Sequence, residues 1–540
     1  MTLIGNAPSV VGYQAYEASR PVGTEAVPTA VFETQQPDEG VLALDYYFGS
    51  RRRAEHAKQD LSDEVLGDLQ VDAYIWLQKN HPDLLNPGTA EDYSVYDREK
   101  VTSRLSDLAH HLREVHPEHV TDAEVESTDA FVDAAFDMWE NKDKPAEDKK
   151  LDGSFAFVVP PRVSRIHPEY EELGDLIHVL RYVPTNMHAA MLRGVPPWVV
   201  DRYRGTADGK HGYLVCASVS GDLEQDLGKI SASTAVKTAR SMVNDAVDLA
   251  ADGLGVWAIG YGATFPRLMR YGTETRRSDV VTTTGHAGTI VQISEGIAAM
   301  YPERDELTRL GVIGLGAIGA PAAEVLADMY PNAQVNVYDT VAANTRKLTG
   351  RNPGRFAEAA DTATLINESD VVVSAVTTAV KLRELGITDM EGKLVVDDSQ
   401  PAQFDADEVE SLGGAVLWPI ATDETGTVRR LFCGYGDLMA NKLTDLFGCE
   451  AEVAALVLER MELESRGVDP RLALRMVGRM AITGPVTVEQ VENTRQRMQA
   501  HGIVASNPQS FGVARQIPPR PPVRSGYQPS AAPALHASAA

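Results

Sequence analysis

The chain has 540 residues, with 50 basic against 77 acidic side chains, a net charge of −27 and 43% apolar residues. That length and apolar content support two or three domains with real cores. The charge argues against general nucleic-acid binding and against attraction to anionic membrane surfaces. Its three cysteines, Cys216, Cys433 and Cys449, form no CxxC pair and no disulfide framework, which points to a reducing cytoplasm. Met1-Thr2-Leu3-Ile4-Gly5 shows no basic region leading into an apolar core, so no signal peptide is expected. No apolar run is long enough to predict a transmembrane segment.

Residues 1–40 lack periodicity and are predicted to be disordered. Residues 41–150 read as an acidic helical extension ending in a charged linker over 141–150. Its His110, His111, His116 and His119 read as a solvated helix end, and no metal site is assigned. An α/β substrate domain is expected over 151–304. Its strands are Phe155-Ala156-Phe157-Val158-Val159, Gly212 to Ala217, Gly255 to Tyr261 and Asp279-Val280-Val281-Thr282. Between them, Ser233 to Ala251 carries apolar residues at helical spacing. Thr283-Thr284-Gly285-His286 then opens a helix running through Met300. Its hydroxyls and imidazole either cap that helix or face a site.

The strongest signal lies in 305–425. Leu310-Gly311-Val312-Ile313 feeds Gly314-Leu315-Gly316-Ala317-Ile318-Gly319, and a helical pattern follows. In a dinucleotide-binding βαβ unit the first glycine makes the turn, the second lets the backbone approach a pyrophosphate, and the third lets helix and strand pack. Val335-Asn336-Val337-Tyr338 reads as the next strand, with Asp339 at its end where the adenosine ribose would lie. Gly314, Gly316, Ala317, Ile318, Gly319 and Asp339 are therefore cofactor-binding candidates. Asp370 to Val376 reads as a continuous apolar strand ending in Thr377-Thr378, which puts Thr377 where the nicotinamide end would sit. Further strands are read at Lys393 to Asp397 and Ala415 to Trp418. The fold class is thus α/β. A Rossmann-type doubly wound parallel sheet is preceded by the substrate domain and the helical extension and followed by C-terminal helices over 426–505. Leu438 to Glu464 and Val486 to Gly502 are the helical stretches there. A Pro- and Ala-rich tail, 506–540, is predicted to be disordered.

A nicotinamide site needs a partner site, and three chemistries are open. One is hydride exchange with a small hydroxy or keto compound, using His286 as acid or base. Another is thioester reduction through a cysteine acyl-enzyme. The third is non-catalytic dinucleotide binding. Cys216 reads as core. Cys449, whose thiolate a helix dipole would favour if Gly448 opens a helix, and Cys433 are the nucleophile candidates, although on composition alone Cys449 also reads as core.

Residues 155–505 resemble the long-chain acyl-[acyl-carrier-protein] reductases of cyanobacteria and their bacterial relatives. The resemblance rests on an ordered set of segments: Gly260-Tyr261-Gly262-Ala263-Thr264, Thr283-Thr284-Gly285-His286-Ala287-Gly288-Thr289, the glycine turn, Val396-Asp397-Asp398-Ser399-Gln400-Pro401, Phe447-Gly448-Cys449-Glu450-Ala451-Glu452 and the helix from Pro485 to His501. It implies NAD(P)H-dependent reduction of an acyl thioester, on an acyl carrier protein or coenzyme A, to a fatty aldehyde. Cys449 would be the nucleophile and His286 a proton donor, with Thr283 and Thr284 near the nicotinamide or the acyl carbonyl. The family more often has Gly-Ala-Thr-Gly in its turn and favours NADPH. Here Asp339 would repel a 2′-phosphate and favours NADH, with Arg346 farther along. Homo-oligomerisation is left open. Arg471, Arg475 and Arg479 recur at helical spacing and read first as a solvated face.

Overall fold

The computed structural model describes residues 41–59, 61–86, 88–144, 153–161, 173–204, 210–219, 232–302, 307–399, 402–430, 443–506, 509–510 and 513–514. The expectations for 1–40, for Cys433, for Gln400-Pro401 and for most of the Pro-rich tail lie outside these residues. At the start of that tail, Gln509–Ser510 pairs antiparallel with Val513–Ala514.

Strands are numbered in chain order. The first sheet contains β1 (Gly153–Val159), β2 (Trp198–Arg204), β3 (His211–Cys216), β4 (Ala258–Tyr261), β5 (Val281–Thr283) and β13 (Arg429–Arg430), in the order β13-β2-β3-β1-β4-β5. From β3 to β5 all neighbours are parallel, whereas β2 is antiparallel to β3 and β13 to β2. β1 is buried along its whole length, as a strand covered on both faces must be. The sequence reading places β1, β3, β4 and β5 but has no counterpart for β2. The Trp198 strand carries Asp201 and Arg202 in its middle, which breaks the apolar run by which a buried strand is recognised.

The Rossmann sheet contains β6 (Arg309–Ile313), β7 (Gln334–Tyr338), β8 (Phe356–Glu358), β9 (Val371–Ser374), β10 (Leu394–Asp397) and β11 (Ala415–Leu417). Its order is β11-β10-β9-β6-β7-β8, and every pair is parallel. In sheet numbering this is 3-2-1-4-5-6, the doubly wound order whose direction reverses beside the first strand. The switch point therefore lies between β6 and β9, at their carboxyl ends.

A third, antiparallel sheet joins β12 (Ile420–Asp423), β14 (Asp445–Phe447) and β15 (Ile503–Ala505). Here the structure corrects the sequence reading. Within the stretch read as helical from Leu438, the described Asp445-Leu446-Phe447 pairs with β12 as a strand, and a helix begins at Gly448. The apolar residues Leu446 and Phe447 read as helix-face positions, yet both lie buried in this sheet.

The N-terminal helices are held by side-chain caps. Ser62 accepts from Val65 N, and Thr121 and Glu124 form a reciprocal box that starts helix Asp122–Asn141. Leu44, Tyr47 and Phe48 of helix Val41–Ala57 share one apolar core with Phe131, Phe155 and Trp198, so this layer is continuous with the first sheet. The four histidines have separate partners. His110 meets Asp129, His116 meets Asp72, His119 meets Glu118, and His111 stacks on Trp76. No described helix is long and apolar enough to cross a membrane.

Candidate active site

The glycine turn has the geometry its spacing predicts. Gly314 has φ +83°, and a Cβ there would collide with the Ala375 carbonyl. A Cβ on Gly319, at the start of helix Gly319–Met329, would collide with the Gly314 carbonyl. Around Gly316 there is open space, and the residue is exposed. Two glycines are thus demanded by packing, while the middle one leaves room for a ligand's phosphates. Ala317 and Ile318 form the turn between them and are half-buried.

Asp339 ends β7 as expected. Its Oδ2 accepts from Leu315 N at 2.7 Å and from Asn344 Nδ2 at 3.0 Å, and its Oδ1 accepts from Val341 N at 2.7 Å. The carboxylate therefore braces the glycine turn from the ribose side. Arg346 is exposed one helical turn farther on. Thr377 is exposed just beyond β9, at the carboxyl edge of the sheet. Asp397, fully buried at the end of β10, folds the following loop by accepting from Ser399, Gln403 and Phe404 N–H groups.

The second half of the site lies where two helix starts meet. Helix His286–Met300 follows β5, and helix Gly448–Ser465 follows β14. Their first turns are in backbone contact. A Cβ on Gly285 would collide with Cys449 Cβ, one on Gly288 with the Gly448 carbonyl, and one on Gly448 would lie 2.6 Å from Thr289 Cα. Gly285 also has φ +74°. Three glycines thus bring Cys449 against the turn that carries His286. Gly260 of β4 completes the seating, since a Cβ there would come within 2.8 Å of Val453 in the Cys449 helix.

Cys449 is half-buried at the second position of its helix. Burial, with the nearby Asp398 charge next in effect, pushes its thiol up to about 12. Asp398 follows β10, so the cysteine sits within electrostatic range of the Rossmann sheet's carboxyl edge. Asp398 is itself held well above the usual carboxylate range by burial and by Asp397. His286 is the first residue of its helix and is buried; desolvation pushes its imidazole down to about 4, so it is neutral at pH 7. Its Nδ1 and the hydroxyl of the fully buried Thr284 have no hydrogen-bond partner among the described residues. Thr283, by contrast, donates its hydroxyl to Glu452 and accepts from Ile482 N. Neither threonine side chain caps the His286 helix, which removes the capping explanation for this segment.

Three residues of this site have no role in the sequence reading, although Glu452 and Asp398 lie in segments that carry the resemblance. Glu452 is buried and receives Thr283 Oγ1 and Gly288 N, the latter at 2.8 Å. Asp398 follows β10 and, second to burial, raises the Cys449 thiol. Tyr271 packs edge-on against the His286 ring at 5.8 Å between centroids, in the left-handed region at φ +58°. Its neighbour Arg270 (φ +45°) and Ala263 (φ +50°) of the upstream glycine loop share that conformation, which is costly for residues with a Cβ.

Residues 309–410 match the family model described as the NAD-binding domain of 6-phosphogluconate dehydrogenase. That span runs from the start of β6 through most of the helix after β10. No curated protein matches the chain. Similar solved structures include quinate dehydrogenase from Corynebacterium glutamicum in complex with NAD, at 12% identity over 65% of this chain and 99% of that one, TM-score 0.26. L-tryptophan dehydrogenase from Nostoc punctiforme aligns at 12% identity over 64% and 90%, TM-score 0.25. Shikimate dehydrogenase from Aquifex aeolicus aligns at 13% identity over 50% and 86%, TM-score 0.26.

Proposed function

We propose that the chain is an NAD(H)-dependent oxidoreductase that reduces an acyl thioester to an aldehyde through an acyl-enzyme on Cys449, as the resemblance to the acyl-[acyl-carrier-protein] reductases implies. The match of 309–410 to an NAD-binding family model and the open space at Gly316 support the cofactor. One observation carries the chemistry. A cysteine in the first turn of a helix packs against Gly285, between Thr284 and His286, whose hydroxyl and Nδ1 have no partner among the described residues, and the charge of Asp398 from the Rossmann sheet's carboxyl edge reaches it. NADH bound at the glycine turn would supply a hydride there.

The chain's own residues do the rest. Cys449 Sγ bonds to the thioester carbon, the carrier's C–S bond breaks, and the proton lost by Cys449 ends on the departing carrier thiol. Hydride addition turns the acyl-enzyme into a hemithioacetal oxyanion. The Thr284 hydroxyl and His286 Nδ1, both without a partner among the described residues, would stabilise that oxygen. Collapse of the oxyanion breaks the Cys449 C–S bond, releases the aldehyde, and returns a thiolate that takes up one proton. Asp339 favours NADH over NADPH.

The thiol's high pKa favours a second reading, in which Cys449 only packs and neutral His286 exchanges a proton with a small hydroxy or keto compound. Intact-protein mass spectrometry after mixing with long-chain acyl-coenzyme A, or with an acylated carrier protein, separates the two. An acyl adduct that is absent in Cys449→Ser and discharged by NADH supports the thioester reading. No adduct from either donor assigns Cys449 to packing and leaves the dehydrogenase.

A further inference from the structure

Helix His286–Met300 begins at Gly285, which has no side chain to cap it, and no larger residue fits there because Cys449 occupies the space. The first N–H groups of a helix need acceptors, and a buried start without them is unstable. Here the acceptor comes from another helix. The Glu452 carboxylate, one turn beyond Cys449, takes Gly288 N, the third N–H of the His286 helix, at 2.8 Å. The same carboxylate takes the Thr283 hydroxyl, whose oxygen accepts from Ile482 N at 3.2 Å. Glu452 is 1% exposed, so water does not compete for these bonds. Burial pushes the Glu452 carboxyl up, while the bonds from the Thr283 hydroxyl and Gly288 N hold it down.

We propose that Glu452 is a positioning residue: from the Cys449 helix it supplies the cap that Gly285 cannot give, and so locks His286 and Cys449 against each other. This bracing is a property of the two helix starts and holds whichever reaction the site performs. Glutamine at 452 keeps an acceptor for Gly288 N and a group that can pair with Thr283. Alanine removes both. Valine at 283 removes the hydroxyl and leaves Glu452 in place.

The test is hydrogen–deuterium exchange on the full chain, read on the peptide covering 284–291. Loss of a cap corresponds to about a tenfold change. Glu452→Ala is therefore expected to speed exchange of the 286–289 amides by at least about tenfold, and Thr283→Val to speed it in the same direction. Glu452→Gln and Thr283→Ser should stay within about threefold, with peptides over 310–340 unchanged. In turnover on an acyl thioester, Glu452→Ala should lower kcat by at least about tenfold with KM for NADH within about twofold, and Glu452→Gln should recover most of the rate. Unchanged exchange in Glu452→Ala overturns the proposal, as does equal loss in Glu452→Gln and Glu452→Ala. If Glu452→Ala does not fold, Thr283→Val decides by the same criterion. A wild-type chain with no thioester turnover defeats the acyl reading alone, and the exchange measurement still decides the role of Glu452.

Discussion

Cys449 and His286 are both neutral at pH 7 in this arrangement, and each makes a pH-dependent prediction. The Cys449 thiol is pushed up to about 12, chiefly by burial. Below that value the thiol form dominates. Alkylation by iodoacetamide should therefore climb about tenfold per pH unit from pH 7 onward, with no plateau near the 8.5 of a free cysteine. A plateau by pH 9 in peptide-resolved alkylation would contradict this environment. His286 shifts the other way, from 6.5 to about 4, because burial disfavours its charged form. The folded state then binds fewer protons than the unfolded chain between those values, so the stability contributed above pH 6.5 is lost as pH falls toward 4. The loss is on the order of 3 kcal/mol. Urea unfolding at pH 7 and pH 4.5 should show His286→Gln losing less than wild type across that interval. The residue types at these two positions were legible in the sequence, but their ionisation was not. It depends on burial that only the folded chain creates and, for Cys449, on Asp398 from the Rossmann sheet.

At the scale of elements, the glycines separate packing from binding. Gly316 faces open space, so Gly316→Ala should leave stability within about 0.5 kcal/mol of wild type. It should still weaken NADH binding by at least about tenfold, because a methyl group enters the space for the phosphates. Gly288→Ala pushes a methyl group into the Gly448 carbonyl and should cost about 1–3 kcal/mol, read in urea melts, with NADH affinity unchanged. If both variants lose stability alike, the contrast fails. This contrast also shows which elements the sequence could disclose. The βαβ unit announced itself because its glycine spacing, apolar strands and terminal Asp339 are all local. Thr283 to His286 was ambiguous because its cap, Glu452, lies on another helix. β2 and β14 were missed for a related reason. β2 carries charged residues in its interior, and the short Asp445–Phe447 strand exists only through pairing with β12.

At the scale of the molecule, the position of the Cys449 helix depends on a buried ion pair. Arg430 of β13, at the edge of the first sheet, meets Glu450 at 2.8 Å, with side chains 3% and 0% exposed. Glu450 also accepts from Phe447 N at 2.9 Å, so one carboxylate both starts the helix and ties it to the sheet's antiparallel edge. The helix is thus fixed at Gly260 of β4, at Gly285 and Gly288 of the His286 helix, and at Arg430. Its cysteine can then face the Rossmann edge without depending on the connecting chain. A buried pair of this kind contributes little net stability, but breaking it leaves a charge without its partner. Arg430→Met should therefore cost about 3–5 kcal/mol, and Arg430→Met with Glu450→Gln should recover part of that loss, both measured by urea unfolding. The functional consequence follows the geometry. The glycine turn follows a strand of a different sheet from the one that carries Arg430, so NADH affinity should hold in Arg430→Met while thioester turnover falls. An equal fall in both would mean that the two halves of the site are coupled through the Cys449 helix itself.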